Sequence, residues 1–183
     1  MTGRTEQLRS ALRTAASALK EYGPEFALAG SYALWVYGGP EPTHDVDVVV
    51  AEVDVEAAAR TLAKAGFEIE RPVEDWLFKA HADDVVVDVL HRLNGVPVDG
   101  AVLSSAHQEP VLALRIPVLP PTAVVIQKLR ALDEHYCDFT LLLPAVRAVR
   151  ERVDWPTVRA ETANNDYAVA FVLLAERLGL TER

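Results

Sequence analysis

A single cysteine, Cys137, leaves the chain no internal disulfide, and a lone thiol fits a reducing, cytoplasmic setting. No apolar run approaches the ~20 residues that span a bilayer, so no membrane partnership is expected. The opening stretch MTGRTEQLRSALRTAASALKEY has no continuous apolar segment and carries acids, which argues against a signal or transit peptide. Repeats, low-complexity tracts and long linkers are missing as well. Basic charge is in short supply: 18 Lys and Arg face 27 Asp and Glu, for a net charge of −9. A broad nucleic-acid interface needs concentrated Lys and Arg, so that class is disfavoured, while a local basic groove is not. Metal binding by clustered carboxylates suits an acidic chain.

What is present is an ordinary globular composition, 50% hydrophobic and 25% charged over 183 residues, enough for one good core. Leu8, Ala11, Leu12, Ala15, Leu19 and Tyr22 recur at helical spacing over Thr5 to Tyr22, and Gly23-Pro24 ends that helix. FALAG reads as a short strand, SYALWVYG as a helix capped by Ser31, and DVDVVV as the next strand. DVEAAARTLAKAG is a helix with Asp54 at its N-cap and Gly66 at its end. FEIER, DWLFKAH and VVVDVLHRL follow as strands, the last two forming a hairpin about Asp83-Asp84, and Asn94-Gly95 marks a further turn. VLALRIPVLPP reads as one strand stopped by Pro-Pro. From TAVVIQKLRALD onward the periodicity is helical, with Pro144 bending one helix and Asp154 capping another. The expected organisation is a mixed α/β unit over 1–120 and a helical region over 121–183.

The segment LAGSYALWVYGGPEPTHDVDVVV raises a chemical question. Asp is a poor strand former, and a buried charge without a partner is costly. Yet Asp45 and Asp47 alternate with valines where a buried strand begins. Residues two apart on a strand share a face, so these carboxylates project side by side, roughly 6–7 Å apart at the backbone. They repel unless a cation sits between them, and a hard divalent ion such as Mg²⁺ is the natural partner. Asp88 interrupts another apolar alternation and is the third candidate ligand. Upstream, a strand followed by Gly30 and a helix opening at Ser31 presents backbone N–H groups to an anion. Gly30 lets a phosphate approach closely, and the Ser31 hydroxyl adds a donor. The plainer readings are a solvated strand face for the aspartates and a serine-capped turn for Gly30-Ser31. Together, a phosphate cradle and a carboxylate–metal site describe a nucleoside triphosphate held for phosphoryl chemistry. Trp35, Tyr37 and Trp76 read as core. His81, His91, His107, His135 and Cys137 have no zinc-site spacing.

AGSYALWVYGGPEPTHDVDVVV resembles the signature of the nucleotidyltransferase superfamily, the fold of DNA polymerase β and the aminoglycoside nucleotidyltransferases. That signature is Gly with Gly or Ser, a short helix, then Asp-x-Asp on the next strand. PTHDVDVVV and PPTAVVIQKLRALDEHYCDFTLLLP are similar to segments of the bacterial abortive-infection and toxin–antitoxin group. The resemblance runs from Phe26 to Pro144. It implies an α+β nucleotidyltransferase fold, a small mixed sheet with flanking helices, here followed by the C-terminal helical region. It implies Mg²⁺, one ion or two, held by Asp45, Asp47 and Asp88, and an NTP substrate whose phosphates meet Gly30, Ser31 and Lys128. Thr43 either bonds a phosphate or fixes its loop. Asp138 either caps a helix or orients Lys128. In the family's mechanism an acceptor hydroxyl attacks the α-phosphate and pyrophosphate leaves, with Asp88 nearest that hydroxyl. The subgroup points to RNA as acceptor, a tRNA 3′ end, and to a cognate antitoxin. A small molecule or a protein side chain as acceptor stays open, as does a non-catalytic nucleotide-binding relative acting as an interaction module.

Overall fold

The computed structural model describes residues 2–181. The first described helix is α1 (Thr2–Tyr22), which begins three residues before the expected start at Thr5. Leu8, Leu12, Ala15, Ala16 and Leu19 form its buried stripe. Gly23 closes it by donating its N–H to the Leu19 carbonyl at 2.9 Å. β1 (Phe26–Leu28), α2 (Gly30–Val36) and β2 (Val46–Val50) follow. A single 3₁₀ turn, Glu52–Asp54, leads into α3 (Val55–Lys64). Asp54 takes the N-cap position without a capping side-chain bond, and Gly66 at φ +97° turns the chain into β3 (Glu68–Glu70).

β4 (Leu77–Ala82) and β5 (Val85–Leu90) pair about the expected Asp83-Asp84 turn. VVVDVLHRL is not one strand, however. It breaks at His91, and β6 (Arg92–Leu93) forms a separate ribbon with β7 (Val96–Pro97) about Asn94-Gly95. The break is pinned by the Trp76 carbonyl, which accepts the N–H groups of both His91 and Arg92. The sequence reading also passed over α4 (Gly100–Ser104), capped by Asp99, and β8 (His107–Val111). β8 turns into β9 (Leu114–Val118) through Leu112 and Ala113, at φ +48° and +67°. Neither residue favours positive φ, so no turn signal marked the hairpin and the segment read as a single strand. β8 is an edge strand, which is where Pro110 is tolerated.

Seven strands form one sheet in the order β3-β4-β5-β2-β1-β9-β8. It is mixed: β1 pairs with β9, and β2 with β5, in parallel, while the other neighbours are antiparallel. The mixed sheet with flanking helices matches the expected α+β class. α1 packs on α3 and on β2, β5 and β9. α2 packs on β2. After β9 the chain is helical: α5 (Pro121–Arg130), α6 (Phe139–Val149), α7 (Trp155–Thr162) and α8 (Asp166–Arg177). α5 packs against α2, α7 and α8, which carries Lys128 to the mouth of α2. One hydrophobic cluster joins these parts, from Leu8 to Leu180. Among the described residues, no helix is long and apolar enough to cross a membrane.

Leu129 on α5 is fully buried in this cluster. Leu129→Ala is expected to cost about 2–5 kcal/mol, read as a lower urea midpoint with an unchanged slope. A loss below about 1 kcal/mol would contradict the packing of α5.

Candidate active site

The register of three strands assembles the acidic site. β2 and β5 run parallel with Asp47 beside Asp88, and β5 runs antiparallel to β4 with Asp88 opposite Lys79. The row Lys79–Asp88–Asp47 therefore crosses the sheet on one face. Val46 and Val48, on the opposite face of β2, are fully buried and fix which way Asp47 points. Asp45 stands immediately before β2 with the same parity. Carboxylate oxygens of Asp45, Asp47 and Asp88 lie within 4.8 Å of one another. Among the described residues this is the one group of three or more His, Cys, Asp or Glu side chains that converges so closely.

That proximity is electrostatically costly. Burial first, and the Asp45 charge next, push the Asp47 carboxyl up to about 7, against the pull of Lys128 and Lys79. Burial also raises Asp88, although Lys79 Nζ donates to its Oδ1 at 3.0 Å and pulls the other way. Burial is the largest single influence on Lys79 and lowers it, but the bond to Asp88 and the charges of Asp88, Glu70 and Asp45 together outweigh it and leave the ammonium above its ordinary value. Three converging carboxylates, partly buried and mutually repelling, fit a hard divalent cation: the donor set is all oxygen and anionic.

Gly30 is held by two independent constraints. Its φ is +57°, and a Cβ placed there would lie 1.9 Å from Asp47 Oδ2. The close approach that demands glycine is thus made by the Asp47 carboxylate. Ser31 is not the helix cap expected from its position. Ala29 is the N-cap, no side chain caps α2, and Ser31 lies inside the first turn. Its hydroxyl instead accepts a bond from Lys128 Nζ at 3.0 Å. α2 spans seven residues, too short for its N-terminus to serve as an anion site by itself. Capacity for an anion rests on Lys128 and the Ser31 hydroxyl.

Thr43 and Asp138 are placed differently. Thr43 is exposed, and its carbonyl accepts from Arg4 Nε at 2.9 Å. Arg4 also reaches the His44 and Asp84 carbonyls, bracing the loop before Asp45 and the turn before β5. Arg9 grips Glu41 with two bonds of 2.6 and 2.8 Å, securing the same loop. Asp138 caps α6, accepting from the Thr140 N–H at 2.8 Å and from its hydroxyl, and those bonds hold its carboxyl below the ordinary range. Lys128 is bonded to Ser31, and the capping bonds of Asp138 go to Thr140.

A cavity of about 420 Å³ opens beside Gly30, Asp47 and Lys128. Its far walls are apolar, with Leu90, Leu93 and Val124, and Asn94 ties the β6–β7 ribbon to Gln127 of α5 across it. Trp76 lines this cavity at 41% exposure, so it is not the core residue expected. Lys79 was missed in the sequence, yet its signal was there. A two-residue turn at Asp83-Asp84 places residue 79 opposite residue 88, an opposite-charge cross-strand pair.

Two outcomes are expected. Gly30→Ala should lower thermal stability and weaken divalent-cation binding together, since the new methyl group must displace Asp47 or strain the backbone. Tight cation binding by that variant would contradict the contact. An acid raised in the folded state takes up a proton on folding, so stability is greatest below its unfolded value near 3.8 and falls as pH rises toward about 7. Metal-free protein should accordingly lose stability between pH 4 and 7, roughly 3–4 kcal/mol from Asp47. Asp47→Asn should flatten that slope in thermal melts at a series of pH values, and an unchanged slope would refute the assignment.

No curated protein matches the sequence. The structure is similar to the antibiotic-resistance factor ANT(2″)-Ia in solution, with a TM-score of 0.64, 13% identity, and coverage of 95% of this chain and 98% of that one. It is similar to ANT(2″)-Ia in complex with adenylyl-2″-tobramycin, at TM-score 0.64, 14% identity, 86% and 96% coverage. A protein from H. pylori assigned as a nucleotidyltransferase aligns at TM-score 0.57, with 14% identity and 95% and 83% coverage. These likenesses establish the fold. At the sequence level, residues 8–161 match the family described as nucleotidyl transferase of unknown function, DUF2204, and the chain belongs to that family.

Proposed function

We propose that this nucleotidyltransferase transfers a nucleoside monophosphate from an NTP to an acceptor hydroxyl at the Asp45–Asp47–Asp88 site. The observation that carries this reading is the convergence of those carboxylates beside Gly30, Ser31 and Lys128. Asp45 and Asp47, with Asp88 alongside, would hold Mg²⁺, which when bound supplies charge neutralisation and alignment of the triphosphate. Lys128 Nζ and the Ser31 hydroxyl, bonded to each other, turn their donors onto the phosphate oxygens of the incoming nucleotide. The apolar cavity that begins at Gly30 and Lys128 receives the nucleoside, with Trp76 on its rim. Asp88 accepts the proton of the acceptor hydroxyl as its oxygen forms a bond to the α-phosphorus and the bond to pyrophosphate breaks. Alignment and charge neutralisation account for most of the catalysis in this scheme. In the same proposal residues 1–120 carry the acids, and 121–183 form the helical region that brings Lys128 over the phosphates. Thr43 acts through its loop, and Asp138 acts only on α6.

The acceptor is read as a small hydroxyl-bearing molecule without strong negative charge. The net charge of −9 favours it, and so does the likeness to ANT(2″)-Ia, whose complex carries an adenylylated tobramycin. A tRNA 3′ end, as in the toxin–antitoxin group that the sequence resembles, is the competing acceptor. Each α-labelled NTP should be incubated with Mg²⁺ and, separately, with aminoglycosides, total tRNA and whole-cell protein. Label is expected on a small molecule. Label on tRNA alone would reverse the acceptor assignment. Asp47→Ala and Asp88→Asn are each expected to lower the rate at least ~10²–10³-fold while the fold persists, and full activity in Asp47→Ala would refute the site.

A further inference from the structure

We propose that Lys79 is a positioning residue that takes the place of a second cation, so that this site holds one divalent ion per chain. The inference rests on the metal reading above and narrows it. Lys79 is not a chance surface neighbour of Asp88. The β4–β5 register sets it directly opposite, and its Nζ bonds Oδ1 at 3.0 Å. Both side chains are enclosed, at 33% and 14% exposure, so the pair is shielded from the solvent that screens exposed ion pairs. The bond occupies one carboxylate oxygen and leaves Oδ2 to face the acceptor hydroxyl.

Charge balance points the same way. When ionised, Asp45, Asp47 and Asp88 bring three negative charges, and Lys79 and Lys128 bring two positive ones, as the mutual influences on Asp47 register. One divalent ion turns that net −1 into +1, which a polyphosphate then neutralises. A second divalent ion would raise the protein site to +3 in a partly buried setting and would sit against the Lys79 ammonium. Lys79 thus supplies from the protein the positive charge that Asp88 requires. It also fixes the orientation of that carboxylate beside Asp45 and Asp47.

The test counts ions and does not depend on turnover. Mn²⁺ is titrated into the full chain and bound ions are counted from the loss of the free-ion EPR signal. The wild type is expected to saturate at one Mn²⁺ per chain, and Lys79→Arg likewise. Lys79→Met is expected to bind a second Mn²⁺ at least ~10-fold more tightly than the wild type does, with the broadened spectrum of two neighbouring ions. Two ions in the wild type, or one in folded Lys79→Met, would overturn the role of Lys79 and leave the nucleotidyltransferase site intact. No bound ion in the wild type would overturn both. Lys79→Gln serves if Lys79→Met does not fold, and the wild-type count decides independently of either.

Discussion

The parallel pairing of β2 with β5 is the constraint from which the site follows. It sets Asp47 and Asp88 side by side, and the buried valines around them prevent the strands from slipping to relieve the repulsion. A one-residue shift of either strand would turn its acid into the core and its flanking valines outward. The hydrophobic core therefore holds an unfavourable charge arrangement in place, as expected where a site is prepared for a cation that the folded chain does not itself provide. Gly30 is part of the same constraint. The Asp47 carboxylate fills the space that a side chain at residue 30 would need.

Around this cluster the protein builds rigidity from ordinary contacts. Arg4 reaches from α1 to the loop before Asp45 and to the turn that starts β5, so one guanidinium braces the approach to two of the three acids. Arg9 secures that loop through Glu41, and its guanidinium also lies 5.8 Å from the Trp35 ring. Lys128 comes from the helical region and bonds Ser31 across the junction with α2. Lys128 and the carboxylates thus belong to different parts of the chain, and their relation depends on α5 staying packed on α2.

Much of this was legible in the residues, and the rest was hidden for identifiable reasons. Asp45, Asp47 and Asp88 stood out because a charge within a valine alternation has no packing explanation, and two-residue periodicity gives facing directly. The pairing of Asp88 with Lys79 followed from turn length alone, but Lys79 lies in DWLFKAH, where no apolar alternation drew notice to it. The expected cap at Ser31 lies two residues past the true N-cap, Ala29, because capping preference is a local rule, whereas the Ser31 hydroxyl is claimed by a lysine 97 residues away. The β8–β9 hairpin was invisible because Leu112 and Ala113 adopt positive φ without a residue type that announces it. Asp138 had two readings, and its own Thr140 contacts favour the simple one.

The cations near the site bear on which acceptor suits it. Arg4 is committed to backbone carbonyls, Arg9 to Glu41, Arg92 to Glu52 and Asp75, Lys79 to Asp88 and Lys128 to Ser31. A polyanion approaching along this face would have to win these groups from existing partners, at the cost of leaving carboxylates unpaired. A nucleotide faces that competition at one point only, the Lys128–Ser31 pair, where the displaced partner is a neutral hydroxyl and the exchange is inexpensive. A neutral or cationic acceptor faces none of it, and the net charge of −9 favours its approach over that of a polyanion. Selection between acceptors, on this reading, comes less from groups reserved for the right one than from the prior engagement of these five cations.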